Sequence, residues 1–224
     1  MNKKKLMLFA VGLAILVITS GGVSLLILSE GNKDTSLDKI RIACVGDSIT
    51  NGTYYPGDLW MMFGVENYTV GNFGVDGSAV SFDSGSPYMF ESAFQKAKQF
   101  QPNIVVIMLG TNDANAIITP NNGSFVSSYV KLVEEFQVLS SKPKIWLVKP
   151  PPVFRNGTTP NAEILNNHIL PGIEQVALQT NSSIINVYSA LSNSSQFFPD
   201  GVHPDPDGSQ LIANEIYRAL TASS

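Results

Sequence analysis

Residues 104–113 read Ile104-Val105-Val106-Ile107-Met108-Leu109-Gly110-Thr111-Asn112-Asp113. Six apolar residues run without interruption, most of them β-branched, and the run stops at a glycine followed by small polar residues. A strand that is apolar at every position is covered on both faces, as the central strands of parallel sheets are. The polar residues that follow stand where open α/β sheets bind ligands, beyond the carboxyl end of a strand.

Four more runs share this strand character: residues 40–45, 68–72, 144–148 and 184–187. Between them lie helical patterns at 87–100, 125–139, 162–178 and 209–220, with apolar residues three and four apart. The third contains Pro171-Gly172, which predicts a kink or two shorter pieces. Strands alternating with helices predict an α/β domain, a three-layer α/β/α sandwich around a five-stranded parallel sheet. Right-handed crossovers favour the flavodoxin-like strand order 2-1-3-4-5.

Polar clusters follow the strand ends. Gly46-Asp47-Ser48-Ile49-Thr50 comes after the first strand and Asn72 through Ser78 after the second. Gly110-Thr111-Asn112-Asp113 follows the third, and Asp200-Gly201-Val202-His203 precedes the last helix. A serine hydroxyl becomes a nucleophile when a base takes its proton, and histidine is the usual base. Ser48 leaves a strand directly, His203 is the base candidate, and Asp200 stands three residues before it. Acyl transfer also needs fixed donors for an oxyanion. Gly77 offers a closely approachable N–H, Asn112 a side-chain amide, and the Ser48 N–H is a third donor.

Composition excludes several other classes. The 224 residues carry 14 Lys+Arg against 18 Asp+Glu, a net charge of −4. Setting aside Lys3, Lys4 and Lys5 leaves 11 positives against 18 negatives, or −7, with no basic patch for nucleic acid. A single cysteine, Cys44, excludes an intrachain disulfide and reads as a small buried hydrophobe. Two histidines, His168 and His203, argue against a multi-histidine metal site, and His168 reads as a structural or solvated residue. The Gly46 cluster lacks the spacing of a phosphate loop. Neither metal nor cofactor is expected.

The N-terminal lysines precede an uncharged span at 6–28, long enough at about 1.5 Å per residue to cross a hydrocarbon core of about 30 Å. The reading is a membrane anchor at 1–28, a linker at 29–38 and one extracytoplasmic domain at 39–224. Cleavage of the segment as a secretory signal is the alternative. Six Asn-x-Ser/Thr sequons, beginning at Asn51, Asn67, Asn122, Asn156, Asn181 and Asn193, fit an exported chain.

The four clusters together resemble the motif blocks of the GDSL/SGNH hydrolase superfamily. The resemblance covers about residues 40–220. It implies Ser48 as nucleophile, His203 as base and Asp200 as its orienting acid. It also implies an oxyanion hole from the Ser48 N–H, the Gly77 N–H and Asn112 Nδ2, with Asp47 and Asp113 in support. Gly74 lies in the same block, but the family's donor glycine comes five residues after the block's asparagine, which selects Gly77. Tyr55-Pro56-Gly57-Asp58-Leu59-Trp60 and Pro150-Pro151-Pro152 resemble the sialate and xylan O-acetylesterase-like branch. That branch often continues its third block with Ser-Lys and a Trp, where this chain has Ala114-Asn115-Ala116-Ile117.

The domain is hardly longer than its five-stranded core, so an uncapped, shallow site is expected. That suits a small acyl group on a bulky polar scaffold, with Tyr54, Tyr55, Trp60, Phe82, Phe154 and Arg155 as candidate sugar contacts. The expected activity is metal-independent hydrolysis of short, acetyl-type esters on carbohydrate. A lipolytic or thioester hydrolase with the same triad, and a non-catalytic glycan-binding module, are the alternatives.

Overall fold

The stretch at 104–113 forms the middle strand of a five-stranded parallel sheet and the turn that leaves it. The computed structural model describes residues 17–19, 22–24, 39–115, 122–156 and 160–222, with backbone alone at 17–19, 22–24 and 122–123. The chain divides into two units, Met1–Leu37 and Asp38–Ser224.

In the second unit the strands are β1 (Ile40–Gly46), β2 (Tyr68–Gly74), β3 (Ile104–Met108), β4 (Lys144–Lys149) and β5 (Ser183–Asn186). All neighbours pair in parallel, in the order β2-β1-β3-β4-β5, the expected 2-1-3-4-5. Side chains alternate across the sheet and make two cores. One gathers Ala43, Val45, Val105, Ile107 and Leu147 against Phe94, Phe136 and Ile173. The other gathers Ile42, Cys44, Val106, Met108 and Trp146 against Leu59, Ile212 and Ile216. Cys44 is fully buried, and burial pushes its thiol up to about 12, which suits an inert packing residue.

The helices are α1 (Ser48–Asn51), α2 (Tyr55–Phe63), α3 (Ser92–Gln99), α4 (Asn122–Gln137), α5 (Ala162–Ile164), α6 (Leu170–Thr180), α7 (Val187–Ala190) and α8 (Pro206–Ala222). The break expected near Pro171 is a π-helical stretch at Leu165–Ile169, between α5 and α6. Proline lacks an N–H and crowds the carbonyl four residues back, so the regular ladder yields just upstream of it. The 87–100 pattern is a 3-10 turn, Tyr88–Phe90, followed by α3.

The first unit departs from the expectation of one continuous helix over 6–28. Val17–Thr19 and Gly22–Ser24 pair antiparallel, with Val17 opposite Ser24. Val17, Ile18, Thr19 and Val23 are β-branched and favour a strand, while Ser20, Gly21 and Gly22 are poor helix formers. The rest of 6–28 lies outside the described residues. Among the described residues, no helix is long and apolar enough to cross a membrane.

Ile107 is fully buried at the centre of the sheet. Ile107→Ala is expected to lower unfolding free energy by about 2–5 kcal/mol, read as a lower urea midpoint at unchanged slope. A loss under 1 kcal/mol would contradict close packing at this position.

Candidate active site

Three connections after strand ends and the segment before α8 build the site. β1 ends at Gly46, and Asp47 caps the short α1, its Oδ1 accepting from the Ile49 N–H at 2.9 Å. Ser48 is thereby the first helical residue. Its Oγ lies 2.8 Å from His203 Nε2, and His203 Nδ1 lies 2.6 Å from Asp200 Oδ2. Asp200 Oδ1 accepts from the Val202 and His203 N–H groups at 2.8 and 2.7 Å. Partial burial pushes the Asp200 carboxyl up, but hydrogen bonds from the His203 ring and these two backbone donors outweigh it and hold the pKa at about 2. An ionised carboxylate only accepts. Nδ1 therefore carries the imidazole proton, and Nε2 is left to accept from the Ser48 hydroxyl. The Asp200 and His203 side chains are 49% and 47% exposed, so this chain of hydrogen bonds lies open at the surface, as expected of an uncapped site.

The loops bearing the other candidate donors are cross-linked to one another. Asn112 Nδ2 gives one hydrogen to Ser78 O at 2.9 Å, which fixes the orientation of the amide. Asn51 Nδ2, on α1, donates to Asp76 Oδ1 at 2.9 Å. Gly77 stands between these two anchored neighbours, in a left-handed conformation (φ 73°) that favours glycine, and a Cβ there would meet open space. Asn72 Nδ2 donates to Thr50 O at 2.8 Å, tying β2 to α1 from below. The geometry thus joins Ser48, Asp200 and His203 directly, and reaches Gly77 through its neighbours.

Asp47 and Asp113 are both buried. Asp113 clamps the loop after β2, accepting from Val80 N at 2.8 Å and Ser81 N at 2.9 Å, and burial pushes its carboxyl up. Burial also pushes Asp47 up, to about 7, with the nearby Asp113 charge adding to the rise and the Ile49 N–H opposing it. Asp47 Oδ2 and the Thr111 hydroxyl are buried beside each other without a well-formed hydrogen bond.

One reading is revised. Tyr55 is fully buried with its hydroxyl 2.9 Å from Thr50 Oγ1, so it supports α1 and is no sugar contact. Gly74 has a packing role that the sequence did not signal. A Cβ there would lie 2.4 Å from Asn51 N and 2.9 Å from Asp47 O, inside the turn that carries Ser48. Sequence reasoning also missed the Ser78 carbonyl, which no residue-type pattern signals because it is backbone. It missed the bond from Phe154 N to Gly201 O (2.8 Å) too, which links the segment after Pro150-Pro151-Pro152 to the Asp200 block. His168 is exposed and lies outside the site.

A model of the GDSL-like lipase/acylhydrolase family matches residues 44–211. The chain belongs to that family. An acetylxylan esterase from Xylanibacter ruminicola is 30% identical over 213 residues, 82% of this chain and 43% of the relative. The chain spans between 43% and 59% of the length of the curated relatives it matches. A carbohydrate acetylesterase family member from Sinorhizobium meliloti has the same fold, with a TM-score of 0.65 at 17% identity over 82% of this chain and 98% of that one. An acetyl-xylooligosaccharide esterase from Geobacillus stearothermophilus gives 0.63 at 20% identity over 81% and 94%. The GDSL-family motif blocks read in the sequence are those that converge here.

Two outcomes are expected. Gly74→Ala forces a methyl group into the backbone of α1, so it lowers stability and removes activity together, with a lower thermal midpoint. For Asp47, the unfolded chain ionises near pH 3.9 while the folded chain keeps the proton to about pH 7. The folded state binds more protons in that window, so this group's contribution to stability falls as pH rises. Asp47→Asn removes the effect, and its stability relative to wild type should climb between about pH 4 and 7 in urea titrations. Parallel pH profiles would refute the burial argument.

Proposed function

We propose that the chain is a metal-independent serine esterase that removes short acyl groups, acetyl foremost, from carbohydrate. The observation that carries the reading is the continuous hydrogen-bond chain Ser48 Oγ–His203 Nε2, His203 Nδ1–Asp200 Oδ2, at a strand-to-helix turn. Ser48 Oγ attacks the acyl carbonyl while His203 Nε2 takes its proton, and ionised Asp200 stabilises the imidazolium. The oxyanion accepts from the Ser48 N–H, the Gly77 N–H and the second hydrogen of Asn112 Nδ2. Collapse expels the sugar hydroxyl with the proton from Nε2, leaving acyl-Ser48. Water, deprotonated by the same imidazole, then releases the acid.

The openness of Asp200 and His203 supports a small acyl group: a long chain gains little at a surface that buries none of it. The acetylxylan esterase and carbohydrate acetylesterase named above support a sugar scaffold. Export of the domain through the apolar segment at 6–28 is supported by its sequence, and N-terminal sequencing of mature protein distinguishes retention from cleavage.

A fluorophosphonate should label the wild type at Ser48 and leave Ser48→Ala unlabelled. Acetyl esters should turn over far faster than octanoyl esters. Asn112→Ala should lose about 10²–10³ in kcat and about 1 kcal/mol of stability, through the orphaned Ser78 carbonyl. Unlabelled wild type would favour a binding module, and preference for octanoyl esters a lipolytic enzyme.

A further inference from the structure

A cavity lies beside the turn that carries Ser48, against the β2 edge of the sheet. It holds about 270 Å³ and is lined by Thr53, Tyr54, Pro56, Gly57 and Trp60 together with Val70 and Asn72 of β2. Two of these residues are bonded to α1. Thr53 Oγ1 donates to Ile49 O at 2.7 Å, and Asn72 Nδ2 donates to Thr50 O at 2.8 Å. The four residues of α1 span about 6 Å at a rise of about 1.5 Å each, so the cavity begins roughly one helical turn from Ser48.

β2 is the edge strand of the sheet. Asn67 O accepts from Ile40 N and Val75 N donates to Gly46 O, both toward β1. Main-chain groups alternate in direction along a strand, so Tyr68, Val70, Asn72 and Gly74 turn theirs outward. The two ends of this row are occupied. Tyr68 N donates to Gly64 O, Tyr68 O accepts from Trp60 Nε1 at 2.8 Å, and Gly74 N donates to Asn72 Oδ1 at 2.9 Å. Between them, the outward main-chain groups of Val70 and Asn72 lie on the same edge as the cavity that these two residues line.

The cavity therefore brings polar residues, Thr53 and Asn72, together with two aromatic residues, Tyr54 at 66% exposure and Trp60 at 37%, beside an open stretch of sheet edge. A ligand that satisfies both needs closely spaced hydroxyls and an apolar face, which is the chemistry of a sugar ring. No acidic or basic side chain lines the cavity, and the chain as a whole is negative, so the match is to a neutral sugar rather than an anionic one. A peptide adding to a sheet edge needs a longer run of open main-chain groups than two residues provide.

We propose that this groove is a subsite for a neutral sugar unit of the glycan whose ester is presented to Ser48. The proposal rests on the esterase reading and adds where the scaffold lies and what charge it carries. Tyr54 is the residue to test, because it is exposed and makes no side-chain cap bond, so its loss leaves the fold intact. Full-length wild type and Tyr54→Ala are assayed on p-nitrophenyl acetate and on acetylated xylo-oligosaccharide. Separately, deacetylated xylo-oligosaccharide is titrated into Ser48→Ala, with and without Tyr54→Ala, and tryptophan emission is followed. Trp146 is buried, so a surface-responsive signal comes from Trp60.

The expected result is unchanged turnover of the aryl ester. On the oligosaccharide, Tyr54→Ala should lose about tenfold in kcat/KM, mostly in KM, with a matching loss in the fluorescence titration. Equal kcat/KM for both proteins on the oligosaccharide, or no emission change, overturns the subsite even when p-nitrophenyl acetate is hydrolysed. Saturable binding weakened by Tyr54→Ala in a wild type that hydrolyses neither ester supports the sugar site and overturns the esterase reading. Competition by a sulfated polysaccharide stronger than by the neutral oligosaccharide overturns the assignment of charge.

Discussion

Backbone N–H groups in the turns and loops that build the site must find acceptors, and in this fold three aspartates supply them. Asp47 accepts from Ile49, Asp113 from Val80 and Ser81, and Asp200 from Val202 and His203. A strand ending in a sharp turn exposes donors that no ladder can use, and a short side chain reaches back to them without lengthening the loop. Each aspartate fixes the residue the proposed chemistry needs. Asp47 sets the start of α1 and hence Ser48, Asp113 holds the loop that follows Gly77, and Asp200 folds the turn that carries His203.

The same device has opposite electrostatic consequences at different depths. Asp200 lies near the surface, where water and the imidazole favour its charge, and its pKa is about 2. It stays ionised wherever histidine titrates, which is what an imidazolium partner requires. Asp47 and Asp113 lie beneath the turn that carries Ser48, where burial penalises charge, so both are pushed up, and the Asp113 charge adds to the rise at Asp47. Holding Ser48 from below therefore costs stability as pH rises, a cost offset by the two apolar cores that flank the sheet.

Parts of this were legible in the sequence because one physical cause dominated. β3 is apolar throughout because both of its faces are buried, and the residue types at the strand ends were readable because the proposed chemistry draws on few of them. Other parts were not. α2 begins with Tyr55-Pro56-Gly57, which reads as a turn, yet Pro56 suits a first helical turn and Tyr55, Leu59 and Phe63 make an apolar stripe. The need for glycine at 74 comes from the backbone of α1, distant in sequence, so no local pattern carries it. Ser78 contributes its carbonyl, which any residue type has. At Val17–Thr19 and Gly22–Ser24, hydropathy was read while the β-branched residues that favour a strand were outweighed.

An open site must get its rigidity from beneath. The Ser48–His203 and His203–Asp200 hydrogen bonds lie where water competes, so they do not hold the turn in place by themselves. Its placement comes from the part-buried bond of Asn72 to the Thr50 carbonyl, the buried bond of Thr50 to Tyr55, and the close packing of Gly74 against Asn51. Asn72 also lines the groove along the sheet edge. The support of the Ser48 turn and the wall of the proposed sugar subsite therefore share one residue. A glycan seated there would contact the element that fixes Ser48, so scaffold recognition and placement of the reacting oxygen would be coupled through the Asn72–Thr50 bond without any moving lid.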